Sequence, residues 1–123
     1  MKNAINWFEI AVTDIERAAK FYGAVLDCDI QRMDMDTMKY AMFPYDNEGG
    51  GVGGGLVEME GFKPSPEGPT LYLNGGDDLS VPLARVEAAG GKIIMPKTDI
   101  GENGFMAQFI DTEGNRLALH SAN

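Results

Sequence analysis

His120, the one histidine, and Glu9, a carboxylate in the first apolar stretch, are of types that serve acid/base chemistry. Imidazole titrates near neutrality and serves as acid or base; a carboxylate in an apolar setting has its pKa raised toward the same range. Trp7, Tyr72, Met106 and Gln108 are candidate wall residues, because flat rings beside a thioether suit an apolar or aromatic ligand. Ordinary packing is the alternative for those four, and a structural acceptor and a partly exposed histidine are the alternatives for Glu9 and His120. The chain holds one His and one Cys. A site needing two His from one chain, a Cys-rich zinc or iron–sulfur centre and an internal disulfide are therefore all excluded. Cys28, with no second thiol for exchange, reads as buried and inert. Ser65, Ser80 and Ser121 fall in a connector, a helix start and the tail, so no Ser-His-Asp arrangement is supported.

Gly49 to Gly55 satisfies a G-x-G-x-x-G pattern through glycine abundance alone. A phosphate loop should open a helix, whereas Leu56-Val57-Glu58-Met59 follows and reads as strand. The expected role is a flexible lip, a mobile gate or a close backbone approach.

The elements that must position these residues follow from periodicity. Residues 5–12 read as a strand, with Trp7 and Glu9 on one face and Phe8, Ile10 and Val12 on the more apolar other face. Thr13 to Glu16 reads as a capping box for a helix whose face is Ile15, Ala18, Ala19, Tyr22, Val25 and Leu26. Short strands are expected at about 28–33, 38–45 and 51–59. The Pro- and Gly-rich stretch 61–69 is a connector. The order then repeats: a strand at 70–74, a helix from Asp77-Asp78 to about Ala89, and strands at 92–96, 105–110 and 116–121. Asp111 to Asn115 forms the last hairpin turn. That turn sets Gln108 opposite Ala118 and Met106 opposite His120.

The chain thus reads as one α+β domain over 1–123: a βαβββ module over about 1–60, the connector, and a second βαβββ module over about 70–123. The open faces of the two curved, mixed sheets are expected to enclose a cleft, either within one chain or across two. The 123 residues suffice for one ordinary core. A net charge of −9, from 10 basic and 19 acidic side chains, argues against nucleic-acid and anionic-membrane partners. No segment near the start resembles a signal peptide and no apolar run spans a membrane, so a cytoplasmic protein is expected.

Trp7-Phe8-Glu9-Ile10-Ala11-Val12-Thr13-Asp14 with Arg17-Ala18 and Phe21-Tyr22 resembles the opening of the glyoxalase/bleomycin-resistance/dioxygenase group, the vicinal oxygen chelate superfamily. Val86 to Lys92 and Asp111 to Leu117 resemble its second half. The resemblance covers nearly the whole chain and implies paired βαβββ modules, commonly in a homodimer. It also implies, for many catalytic members, a divalent metal held by His and Glu. The first-strand ligand position matches Trp7, the one opening the second module falls near Thr70, and the last-strand position matches Ala118. A fourth falls within Gly54–Glu58. None of the three matched side chains is a good ligand, so no metal and no other cofactor is expected. The leading expectation is a protein that binds a small, partly apolar molecule without a metal, contacted by Trp7, Thr70, Tyr72, Met106, Gln108 and Ala118. The alternative is a lyase, isomerase or dioxygenase using Glu9 and His120 as acid/base or metal-binding groups.

Overall fold

The computed structural model describes residues 1–123. The first module comprises β1 (Trp7–Ala11), α1 (Ile15–Leu26), β2 (Gln31–Arg32), β3 (Lys39–Met42) and β4 (Gly53–Glu58). The second comprises β5 (Tyr72–Asn74), α2 (Ser80–Val86), β6 (Lys92–Asp99), a 3-10 turn at Gly101–Asn103, β7 (Phe105–Ile110) and β8 (Arg116–Ser121). The sheets run β1-β4-β3-β2 and β5-β8-β7-β6. β1 lies parallel to β4 and β5 parallel to β8; the remaining pairs are antiparallel. The expected α+β architecture of two mixed-sheet βαβββ modules is therefore present.

Several boundaries differ from the sequence reading. Asp14, not Thr13, caps α1: it is extended (φ −140°, ψ 101°) and its carboxylate accepts from the Arg17 amide. Thr13 is drawn away because its hydroxyl donates to Glu113 in the other module. α2 is shorter than expected. Asp77 and Asp78 precede it, and Asp78 instead accepts from the Ser80 amide and from Lys97. β6 runs on to Asp99 through Pro96. It is an edge strand, where a missing N–H is tolerated.

Both modules share one core. Ile10 and Leu56 of the first sheet, Val12 just after β1, Leu73, Ala107, Phe109, Leu117 and Leu119 of the second sheet, and the apolar faces of α1 and α2 form a single buried cluster. Phe21 and Tyr22 of α1 sit at its centre, with Phe21 packed at 5.9 Å from the Phe109 ring. Burying side chains of this size stabilises the fold by roughly 1.5–3 kcal/mol each. The strand alternation then turns Trp7, Glu9 and Tyr40, and likewise Tyr72, Gln108 and His120, onto the sheet faces opposite this core.

The 111–115 turn joins the modules as well as two strands. Asp111 accepts from the Tyr22 hydroxyl at 2.5 Å and from the backbone amides of Glu113 and Asn115. The Asn115 amide donates to the Ala11 carbonyl. Glu113 accepts from the Thr13 and Asp14 amides, the Thr13 hydroxyl and the Arg17 guanidinium, the last at 2.7 Å. Burial pushes the Glu113 carboxyl up, but hydrogen bonds from Arg17, Thr112, Thr13 and Asp14 outweigh it and hold the group at about 2. Burial, with Asp111 beside it, holds the Tyr22 phenol well above its ordinary range.

Candidate functional site

The open face of the first sheet carries a continuous polar and aromatic series. The Trp7 indole N–H donates to the Tyr40 hydroxyl at 2.8 Å, and that hydroxyl donates to the Glu9 carboxylate at 3.0 Å. Tyr45 packs edge-on against Trp7, with ring centres 5.7 Å apart. Tyr40 is buried, while Trp7 is 39% exposed and Glu9 is exposed. Burial raises the Tyr40 pKa, the Trp7 N–H lowers it and Glu9 raises it; the net shift is upward, so the phenol stays protonated and keeps its donor for Glu9.

The local sequence makes this arrangement possible. β4 presents Gly53 opposite Trp7 and Gly55 opposite Glu9. A Cβ at Gly53 would lie 2.6 Å from the Tyr45 ring and 2.7 Å from Trp7, and one at Gly55 would collide with the Tyr40 ring. On the reverse face a Cβ at Gly54 would collide with Phe8. These glycines therefore form the middle of a strand on which aromatic rings lie directly against backbone. They are not a lip or gate; only Gly49 to Gly51 belong to the preceding turn.

The second sheet's open face is plainer. Tyr72 lies opposite Ala118, and Gln108 and Met106 lie opposite Ala118 and His120, as the turn geometry predicts. Tyr72 is 53% exposed, whereas Ala118 and Met106 are buried. The His120 imidazole Nε2 lies 2.5 Å from the Asn103 carbonyl of the 3-10 turn. Thr70 precedes β5 and accepts from Arg116 at 2.8 Å. No hydrogen bond joins Glu9 to His120: Glu9 meets Tyr40 and His120 meets Asn103, in different sheets.

A cavity of about 1090 Å³ lies elsewhere. It is lined by Phe8, Phe43, Leu71, Leu73 and Val81 among others. Of the expected ligand contacts only Thr70 and Tyr72 reach it. Cys28 also borders it and is half-buried, not buried as expected; burial, then Asp27 and Asp29, push its thiol up and keep it protonated.

The donor set does not fit the divalent metal that the resemblance implies. No three His, Cys, Asp or Glu side chains come together to hold an ion, and indole and methyl groups at Trp7 and Ala118 offer no ligand. No helix is long and apolar enough to cross a membrane. Tyr40 is the member of this series that the sequence reading missed. It lies 33 residues from Trp7 and 31 from Glu9 along the chain, and only its alternation with Met38 and Met42 hinted at its face.

Comparison with known proteins places this geometry in context. The family model for the Glyoxalase/Bleomycin resistance protein/Dioxygenase superfamily matches residues 4–119. A glyoxylase-like domain-containing protein of Didymella fabae is 31% identical over 126 residues, covering 94% of this chain and 91% of that protein. The putative glyoxylase CFP32 of Mycobacterium tuberculosis is 26% identical over 96% of this chain, which spans only 45% of that protein. Among solved structures, a glyoxalase/bleomycin resistance protein from Albidiferax ferrireducens superposes with a TM-score of 0.71 at 17% identity, covering 95% of this chain and 97% of that one. Glyoxalase I of Zea mays gives 0.70 at 21% identity, covering 95% of this chain and 45% of that one. At such identities the structural likeness speaks for the fold alone.

Proposed function

The chain belongs to the glyoxalase/bleomycin resistance protein/dioxygenase superfamily, and from that premise we propose that it binds a small, partly apolar molecule without a metal. The observation that carries this reading is the Trp7–Tyr40–Glu9 series laid over a glycine strand. Trp7 and Tyr45 offer partly exposed aromatic surface, and Tyr40 orients an accessible carboxylate beside it. Such a surface suits a flat apolar body bearing a hydrogen-bond donor, which Glu9 accepts. Tyr72 and His120, on the second sheet's open face, are the polar-tipped counterparts. Because the shared core places both faces on the outside of one chain, the cleft in this reading closes in a homodimer. The first sheet of one copy then meets the second sheet of the other, bringing Glu9 toward His120 of the partner subunit.

Trp7 is the single tryptophan, so its fluorescence reports the site. Purified protein is titrated with small aromatic amines, amides and phenols, and its mass in solution is measured. Saturable quenching that is weakened by Glu9→Gln, in a dimeric protein, supports the reading. Stoichiometric retention of a divalent metal after dialysis, with no quenching by any compound, overturns it.

A further inference from the structure

We infer that the first module carries a second site, for a soft monovalent metal ion, built from the thioethers of Met35, Met38 and Met59. Five of the eight methionines fall between residues 33 and 59. β3 and β4 pair Lys39 with Glu58 at the end of their ladder, so Met38 and Met59 are the next residues of the two strands beyond that last pair. Just beyond, the chain turns back on itself. The Met35 N–H donates to the Met38 carbonyl at 2.9 Å and the Met38 N–H to the Met35 carbonyl at 3.3 Å, forming an antiparallel bridge. Directly opposed residues of an antiparallel pair project to the same face, with Cβ atoms about 4.5–5.5 Å apart. Met35 and Met38 accordingly share a face, and Met35, Met38 and Met59 all line one cavity of about 640 Å³.

The surroundings suit a cation. Met35 is 52% and Met59 40% exposed, so neither fills a gap in the core. Asp34, Asp36, Glu58 and Glu60 line the same cavity against Lys39 and Lys63. Asp34 pairs with Arg32 and Glu58 with Lys39, which leaves the Asp36 and Glu60 carboxylates outside any ion pair. Phe62, bridged to Met59, brings an aromatic ring to the rim. Neutral, polarizable sulfur selects Cu(I) and its analogue Ag(I) over hard ions, and the nearby carboxylates balance the single positive charge. A thioether has no proton to lose, so binding here is independent of pH across the neutral range, unlike binding to a thiolate or imidazole.

The test is a titration of the protein with Ag(I), and with Cu(I) kept reduced and in competition with a chromophoric chelator. It is run on the wild type, on Cys28→Ser, and on Met35→Leu/Met38→Leu/Met59→Leu, whose leucines keep apolar volume but remove sulfur. The expected result is one ion per chain in the wild type and in Cys28→Ser, with unchanged affinity between about pH 6 and pH 8. The triple leucine variant should bind at least about tenfold more weakly while keeping its circular dichroism spectrum. In a sample with 13C-labelled methionine methyl groups, the resonances of Met35, Met38 and Met59 should move together on adding Ag(I). The inference is overturned if no ion binds, if the triple variant binds equally well, or if Cys28→Ser abolishes binding. Movement of the Met95 or Met106 resonance in place of these three overturns it equally.

Discussion

The two modules share a topology yet differ in what their central strands offer. In the first, β4 gives Gly53 and Gly55 opposite Trp7 and Glu9. In the second, β8 gives Ala118 and His120 opposite Tyr72 and Asn74. A strand without side chains lets rings lie on backbone and lets a tyrosine bridge an indole and a carboxylate. A strand with side chains fills that space itself and leaves Tyr72 standing 53% exposed. One arrangement of strands thus yields a linked Trp7–Tyr40–Glu9 series in the first module and no such series in the second. The helices differ too: α1 has 12 residues and a side-chain cap, whereas α2 has 7 and none. The second module leans on the first, through Glu113 and Asp111, for part of its anchoring.

That asymmetry is sharpest at the junction. Glu113→Ala should destabilise the protein most, by about 2–4 kcal/mol in urea unfolding, because it strips partners from the Thr13 and Asp14 amides and from Arg17. The same carboxylate sets an acid limb. Its pKa is lowered on folding, so its contribution is fully present above its ordinary value and is lost as pH falls from about 4.5 toward about 2. Glu113→Gln should flatten that part of the stability–pH curve. An unchanged acid limb would mean the junction carries no such linkage.

Gly55→Val should cost about 2–3 kcal/mol, since its Cβ meets the Tyr40 ring. The matching change in the other central strand, Ala118→Gly, should cost about 1 kcal/mol, for lost packing and added chain freedom. Equal costs measured by thermal unfolding would break the contrast between the strands. Tyr40→Phe should lower stability by only about 1 kcal/mol. It should nevertheless shift Trp7 emission and weaken any ligand that Glu9 holds, because the indole N–H and the carboxylate both lose their partner. Asp14→Ala should remove about 1 kcal/mol by uncapping α1, read as loss of helical circular dichroism before global unfolding.

Much of this was legible in the residues. Alternation alone put Trp7 and Glu9 on one face, and the Asp111-to-Asn115 turn fixed Met106 opposite His120 and Gln108 opposite Ala118. Boundaries went astray where a distant partner competed for a local one. Thr13 looked like a cap until Glu113, 100 residues away, took its hydroxyl.

The sequence by itself determined the two βαβββ patterns, the faces of each strand and the single His and single Cys, because periods of 2 and 3.6 and a residue count are local properties. Tertiary structure alone decided that Tyr40 links Trp7 to Glu9, that glycines serve as a bed for rings, and that a hairpin turn clamps the modules together. Each of these depends on which strands become neighbours, and a hydrogen bond is set by distance in space, to which spacing along the chain gives no guide.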